Sequence, residues 1–114
     1  DKADLVWSRI EVMLRTSLEL THGTIQRKVD RVLPDPGLCF ELIGVDVMID
    51  DQLQPWIIEY NRSPSLAPQY TGELKYKLIE DLANAVRVDR EQPSETYRPA
   101  EKRGSFSLLY TVAT

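Results

Sequence analysis

The sequence predicts an α+β fold: an antiparallel β-hairpin packed with flanking helices. Three patterns lead there. Apolar residues recur at three- and four-residue spacing over residues 3–21. Two Val- and Ile-rich runs, residues 38–50 and 55–61, flank a short polar turn. Leu74, Leu78, Leu82 and Val86 then repeat at i+4 spacing over residues 73–87.

Taken in order, the first helix rests on Leu5, Val6, Ile10, Met13, Leu14 and Leu18, with His22 and Gly23 placed to end it. Residues 22–37 read as a polar connector closing in Leu33-Pro34-Asp35-Pro36-Gly37, where two prolines and a glycine oppose helix. The first strand, 38–50, is rich in Val, Ile, Leu and Phe. Asp50-Asp51-Gln52-Leu53-Gln54 forms the turn, and Pro55 opens the second strand, a position proline tolerates. Ser63-Pro64-Ser65 and Pro68 make an irregular loop. Thr71 is placed to cap the second helix, and Glu73 suits its first turn. Residues 89–114 read as an extended tail, from which Ser105–Val112 could add a short strand against a partner. Residues 1–88 form the expected domain.

Composition bounds the function. Hydrophobic residues make up 42% and charged residues 28% of 114, an ordinary globular balance for one small domain or a piece of a larger one. A net charge of −4 argues against broad electrostatic binding of nucleic acid. Arg27, Lys28 and Arg31, and again Arg98, Lys102 and Arg103, cluster as basic patches, read as solvated segments unless an acidic partner meets them. The single cysteine, Cys39, excludes an internal disulfide, fits a reducing compartment and reads as a buried structural thiol. No run approaches the ~18 apolar residues of a membrane span, and no signal peptide is visible. Asn61-Arg62-Ser63 matches a glycosylation pattern but ends an apolar strand, so the match is discounted. A start at Asp1 rather than Met suggests a fragment.

The chemistry lies in the hairpin. Each strand carries an acid where a core residue is expected: Asp46 in Gly44-Val45-Asp46-Val47-Met48-Ile49 and Glu59 in Pro55-Trp56-Ile57-Ile58-Glu59-Tyr60-Asn61. A charge among Val and Ile is costly without a partner, and neither strand contains Lys or Arg. With the turn centred on Gln52-Leu53, Asp46 stands opposite Glu59 and Gly44 opposite Asn61. Cross-strand Cβ atoms on one face lie about 5 Å apart, so Asp46, Glu59 and Asn61 converge, and Gly44 leaves room beside them. Two carboxylates so close repel unless a proton or cation intervenes. Hard oxygen donors of this kind suit Mg2+, here bridging a nucleotide phosphate. Read as bare spacing, the same acids also fit a hairpin whose carboxylates point to water.

The ordered string Cys39-Phe40-Glu41-Leu42, Gly44-x-Asp46 and Pro55-Trp56-Ile57-Ile58-Glu59-x-Asn61-x-Ser63-Pro64-Ser65-Leu66 resembles the C-terminal signature of the tubulin–tyrosine ligase-like family. Leu74-Lys75-Tyr76-Lys77-Leu78-Ile79-Glu80-Asp81 is similar to the helix that follows in its polyglutamylase branch. The resemblance implies the C-terminal portion of an ATP-grasp fold, with Asp46, Glu59 and Asn61 as catalytic and Mg2+-binding residues and ATP as co-substrate. It implies ATP-dependent addition of glutamate to glutamate side chains of tubulin tails, in a cytoplasmic, cytoskeletal setting of microtubules, cilia or basal bodies. Tyr60 and Gln54 depart from the Val and Lys usual in the family. Arg62 stands where a small residue is usual, which makes it a candidate contact for a substrate carboxylate. The remaining lobes that such an enzyme needs have no counterpart in these residues, so other protein parts are expected to cover the exposed core. The alternative is a non-catalytic ligase-like module associated with microtubules or the axoneme.

Overall fold

The computed structural model describes residues 1–33, 40–66, 72–86 and 102–111. It is α+β, in the order α1 (Lys2–Val32), β1 (Gly44–Ile49), β2 (Pro55–Asn61), α2 (Gly72–Val86), β3 (Lys102–Arg103) and β4 (Phe106–Ser107). The chain divides into two compact units, Asp1–Pro64 and Ser65–Thr114.

In the first unit, Asp1 caps α1, its side chain accepting from the Asp4 amide at 2.9 Å while the Asp4 carboxylate reaches back to the chain's first nitrogen. This reciprocal arrangement satisfies two donors that a helix start leaves open. α1 is longer than the expected 3–21. His22 and Gly23 lie inside it, and the expected connector is helical as far as Val32. One interior glycine costs only about 1 kcal/mol, and the residues after it favour helix: Gln26 Nε2 donates to Asp30 Oδ1, and Arg27 Nη2 to Thr24 Oγ1. The helix stops at Leu33, whose φ of −110° and ψ of 125° are extended. Leu33 precedes Pro34, and the proline ring denies the preceding residue helical geometry. Pro34–Cys39, including the expected buried thiol, lie outside the described residues.

β1 and β2 pair antiparallel. The expected strand 38–50 is cut to Gly44–Ile49, because β2 ends at Asn61 opposite Gly44 and offers residues 40–43 nothing to pair with. Asp50 organises the turn. Its Oδ1 accepts the amides of Gln52 and Gln54 at 2.9 and 2.8 Å, and its Oδ2 accepts the Trp56 indole N–H at 2.8 Å. These donors, the indole foremost, hold the Asp50 carboxyl below the usual carboxylate range. Leu53 closes the turn in the left-handed region at φ 61°.

The ladder is regular from Gly44 to Asp46, then slips by one residue: Val47 pairs Ile57, Met48 pairs Trp56 and Ile49 pairs Pro55, leaving Ile58 as a bulge. Side chains alternate along a strand, so the slip sorts β2 into two faces. Pro55, Ile57 and Tyr60 share a face with Val45, Val47 and Ile49, and α1 packs against β2. Tyr60 Oη donates to Ser17 Oγ at 2.6 Å, and Arg9 Nη1 donates to the carbonyls of Gln52 and Leu53 at 2.7 and 2.9 Å. Val6, Arg9, Ile10, Met13 and Ser17 form the half-buried stripe of α1.

In the second unit, residues 102–107 of the segment expected as an extended tail are paired. β3 and β4 form an antiparallel hairpin, Lys102 pairing Ser107 and Arg103 pairing Phe106, and both strands contact α2. Asp81 of α2 is the anchor, at 2% exposure. It accepts from Lys77 Nζ, from Ser105 Oγ and from the Ser105 amide at 2.9 Å. Gly104 turns the hairpin at φ 58°, directly against the Asp81 carboxylate, where a Cβ would collide. Leu78, Leu82 and Val86 are half-buried as the spacing requires, but Leu74 is 70% exposed. An i+4 series drifts about 40° around a helix at each step, which carries its first member off the packed side. Thr71, the expected cap, lies outside the described residues, as do Arg87–Glu101.

Among the described residues Pro55 is buried, but no Val, Ile, Leu, Met, Phe, Trp or Tyr side chain is, and no helix is long and apolar enough to cross a membrane.

Candidate functional site

The hairpin face turned away from α1 carries Gly44, Asp46 and Met48 from β1 and Trp56, Glu59 and Asn61 from β2. Asp46 pairs with Glu59 and Gly44 with Asn61, so both acids and the amide meet at the end of the ladder remote from the turn. Asn61 Nδ2 donates to Asp46 Oδ2 at 3.2 Å. That bond fixes the amide and leaves its Oδ1 as a neutral oxygen donor beside two carboxylates. Asp46 and Glu59 are exposed and Asn61 half-buried. A Cβ on Gly44 would lie 3.0 Å from the Pro64 ring and 3.6 Å from Asn61 Cβ. Any side chain there would crowd the corner where Asn61 sits.

The donor set fits a hard divalent cation: two anionic oxygens and one amide oxygen, with no soft ligand among them. Neither Asp46 nor Glu59 forms an ion pair among the described residues. No third acid, histidine or cysteine joins them: the described residues hold no metal-ligating group of three such side chains. A cation held here would complete its shell from Asn61, solvent or a bound phosphate.

Arg62 does not turn toward the acid pair. Its Nε donates to Glu41 Oε1 at 3.0 Å, with the arginine 86% exposed. Glu41 was legible only as part of the string around Cys39. Asp50 was legible as a turn residue, but Arg9 and Ser17, the polar groups of α1 that bond the hairpin, were not. For Arg9 a signal existed: it lies on the stripe of Val6, Ile10 and Met13. The long-range acceptors it finds, two turn carbonyls, have no sequence signature.

Met48 and Trp56, paired across the same face, are 59% and 57% exposed. The acid pair is thus bordered by an apolar shelf rather than by further charge. A shallow groove lined by Ser8, Arg9, Val12, Met13, Thr16 and Gln54 lies elsewhere and includes none of the three candidate ligands.

The family model described as the tubulin-tyrosine ligase family matches residues 2–95. The chain is similar to a probable tubulin polyglutamylase, TTLL9, of Mus musculus, 38% identical over 87 residues that make up 74% of this chain and 18% of the relative. It is 32% identical to a probable tubulin polyglutamylase, ttll-9, of Caenorhabditis elegans over 81 residues, 68% of this chain and 19% of the relative. It is 27% identical to the tubulin polyglutamylase TTLL6 of Homo sapiens over 106 residues, 89% of this chain and 12% of the relative. The chain therefore spans less than a fifth of each of these relatives. No solved structure matches.

Proposed function

The chain belongs to the tubulin–tyrosine ligase family, and on that premise we propose that it forms part of an ATP- and Mg2+-dependent ligase that adds glutamate to glutamate side chains of tubulin tails. The observation that carries the reading is the register of β1 and β2, which pairs Asp46 with Glu59 and sets Asn61 beside them on one uncovered face. Relatives named tubulin polyglutamylases support tubulin as the substrate and a cytoskeletal location.

In this reading Asp46, Glu59 and Asn61 would hold Mg2+ with their oxygens. The metal, when bound, supplies positive charge for the phosphate oxygens during phosphoryl transfer. The protein's own contribution is placement. The ladder fixes the two carboxylates relative to each other, and the Asn61–Asp46 bond fixes the amide oxygen. Gly44 keeps the corner open. An acceptor carboxylate would take the γ-phosphoryl group of ATP with release of ADP, and the amine of the incoming glutamate would then displace inorganic phosphate and lose a proton, forming the amide. Arg62 is the exposed cation nearest the site in sequence. Its pairing with Glu41 is a surface ion pair, of the kind worth about 0–1 kcal/mol, so a substrate carboxylate can take Glu41's place at little cost. The rest of the ATP-grasp fold is contributed by protein outside these 114 residues.

The test is mass spectrometry of microtubules treated with the longest form of this protein, ATP, Mg2+ and glutamate, beside a Glu59→Gln control. Added glutamate masses that vanish in the control support the ligase and its metal site. Well-folded protein that adds no mass removes glutamate ligation and leaves the non-catalytic, microtubule-associated module or a ligase of another amino acid as the reading.

A further inference from the structure

Ser105 occupies an unusual position. Its hydroxyl is one of the groups that hold the β3–β4 hairpin on α2 through Asp81, yet the residue itself is exposed. It follows Lys102-Arg103-Gly104 in sequence, two cations at the third and second positions before a serine, and precedes Phe106. The acidic substrate cleft of a basophilic serine/threonine kinase selects for this arrangement by charge complementarity. The turn that presents the serine joins two strands of only two residues each at a glycine with positive φ.

We propose that Ser105 is a phosphorylation site for a basophilic protein kinase, and that its phosphate releases the β3–β4 hairpin from α2. In the transfer, Ser105 Oγ loses its proton to the kinase's catalytic base and bonds the γ-phosphorus of ATP. The bond between that phosphorus and the β,γ-bridging oxygen breaks, and ADP leaves. The product has no hydroxyl proton to donate to Asp81. In its place stands a group of charge about −1.5 to −2 at neutral pH, against a carboxylate that is itself ionised. The groups facing Asp81 are Lys77 from α2 and Ser105 from the hairpin turn. Of the groups bonded to Asp81 only Lys77 is a cation, and its ammonium is already engaged. The bond that held the hairpin becomes a repulsion.

The experiment incubates the chain with ATP and a basophilic kinase, maps the phosphate by peptide mass spectrometry, and follows amide exchange at Ser105 before and after. Expected are one phosphate at Ser105, at least tenfold less of it in the Lys102→Ala/Arg103→Ala double variant, and exchange at the Ser105 amide accelerated about tenfold or more, the order of one lost hydrogen bond. Exchange in β1 and β2 stays unchanged. In an Asp81→Asn chain the phosphate-dependent acceleration falls to threefold or less, since the second anion is gone. No phosphate at Ser105, or a phosphate there with unchanged exchange, overturns the proposal. An undiminished acceleration in Asp81→Asn overturns its electrostatic cause.

Discussion

At the residue scale, the acid pair decides the chemistry. Asp46 and Glu59 are cross-strand partners on an open face, with Asn61 bonded to the first. Replacing either acid removes an anionic ligand without altering the ladder, since both side chains are exposed. Glu59→Gln and Asp46→Asn are therefore each expected to weaken Mn2+ binding, used as a paramagnetic probe for Mg2+, by about tenfold or more. The circular dichroism spectrum should not change. Equal Mn2+ affinity in both variants would place the cation elsewhere. Arg62→Ala is expected to raise KM for glutamate or the tubulin tail severalfold with kcat little altered, because a carboxylate held by a surface arginine contributes to binding rather than to the transition state. A fall in kcat at unchanged KM would rule that role out.

At the element scale, the helices and the small hairpin offer two sharper tests. Gly23 lies inside α1, and a Cβ there would meet nothing nearer than the end of Arg27 at 3.9 Å. Gly23→Ala should stabilise the helix by about 0.5–1 kcal/mol, read as a higher melting temperature. Asp81 gives the second test. Lys77, then the hydroxyl and amide of Ser105, lower its pKa to about 2 from an ordinary 3.8. A carboxyl lowered in the folded state stabilises fully above its unfolded pKa and loses that contribution as pH falls through the folded one. The β3–β4 hairpin should thus loosen between about pH 4 and pH 2, with Ser105 amide exchange rising beyond its intrinsic pH trend, and the Asp81→Asn chain should show no such step.

Legibility followed the range of the interactions. The hairpin centres on Gln52 rather than on Gln52-Leu53, and Asp46 meets Glu59 only through the bulge at Ile58, but the hairpin itself was readable because its turn residues, apolar strands and face alternation are all local. The end of α1 was not, because Gly23 is a weak stop and the stronger one, Leu33 ahead of Pro34, lies further on. The bulge at Ile58 was not, because five consecutive strand residues from Trp56 to Tyr60 carry no glycine or other bulge marker. The β3–β4 hairpin was hidden for another reason. Its anchor joins residues 81 and 105, and an aspartate on a helix ordinarily reads as a solvated charge.

At the scale of the whole chain, the absence of any buried Val, Ile, Leu, Met, Phe, Trp or Tyr among the described residues sets the expectation. Leu5, Trp7, Leu20, Ile25 and Val32 of α1, with Met48 and Trp56 of the hairpin, are all exposed. Hydrophobic burial is the dominant favourable term in folding, and here much of it is left unused. The isolated chain should melt broadly, without a sharp cooperative transition, and bind a hydrophobic dye at neutral pH. A steep transition at high temperature with no dye binding would contradict that expectation. Protein that covers these faces should sharpen the melt.

The extra residue at Ile58 has a consequence in the language of genes. Ile57 and Ile58 are adjacent and identical, so losing either codon leaves the same protein, Pro-Trp-Ile-Glu-Tyr-Asn. In that shorter strand Ile57 would follow Val47 and Glu59 would follow Asp46 in one uninterrupted ladder, each on the face it occupies now. A single in-frame deletion at this point is therefore the one length change in β2 that spares the alternation. Loss of Tyr60 instead would carry Asn61 to the opposite face.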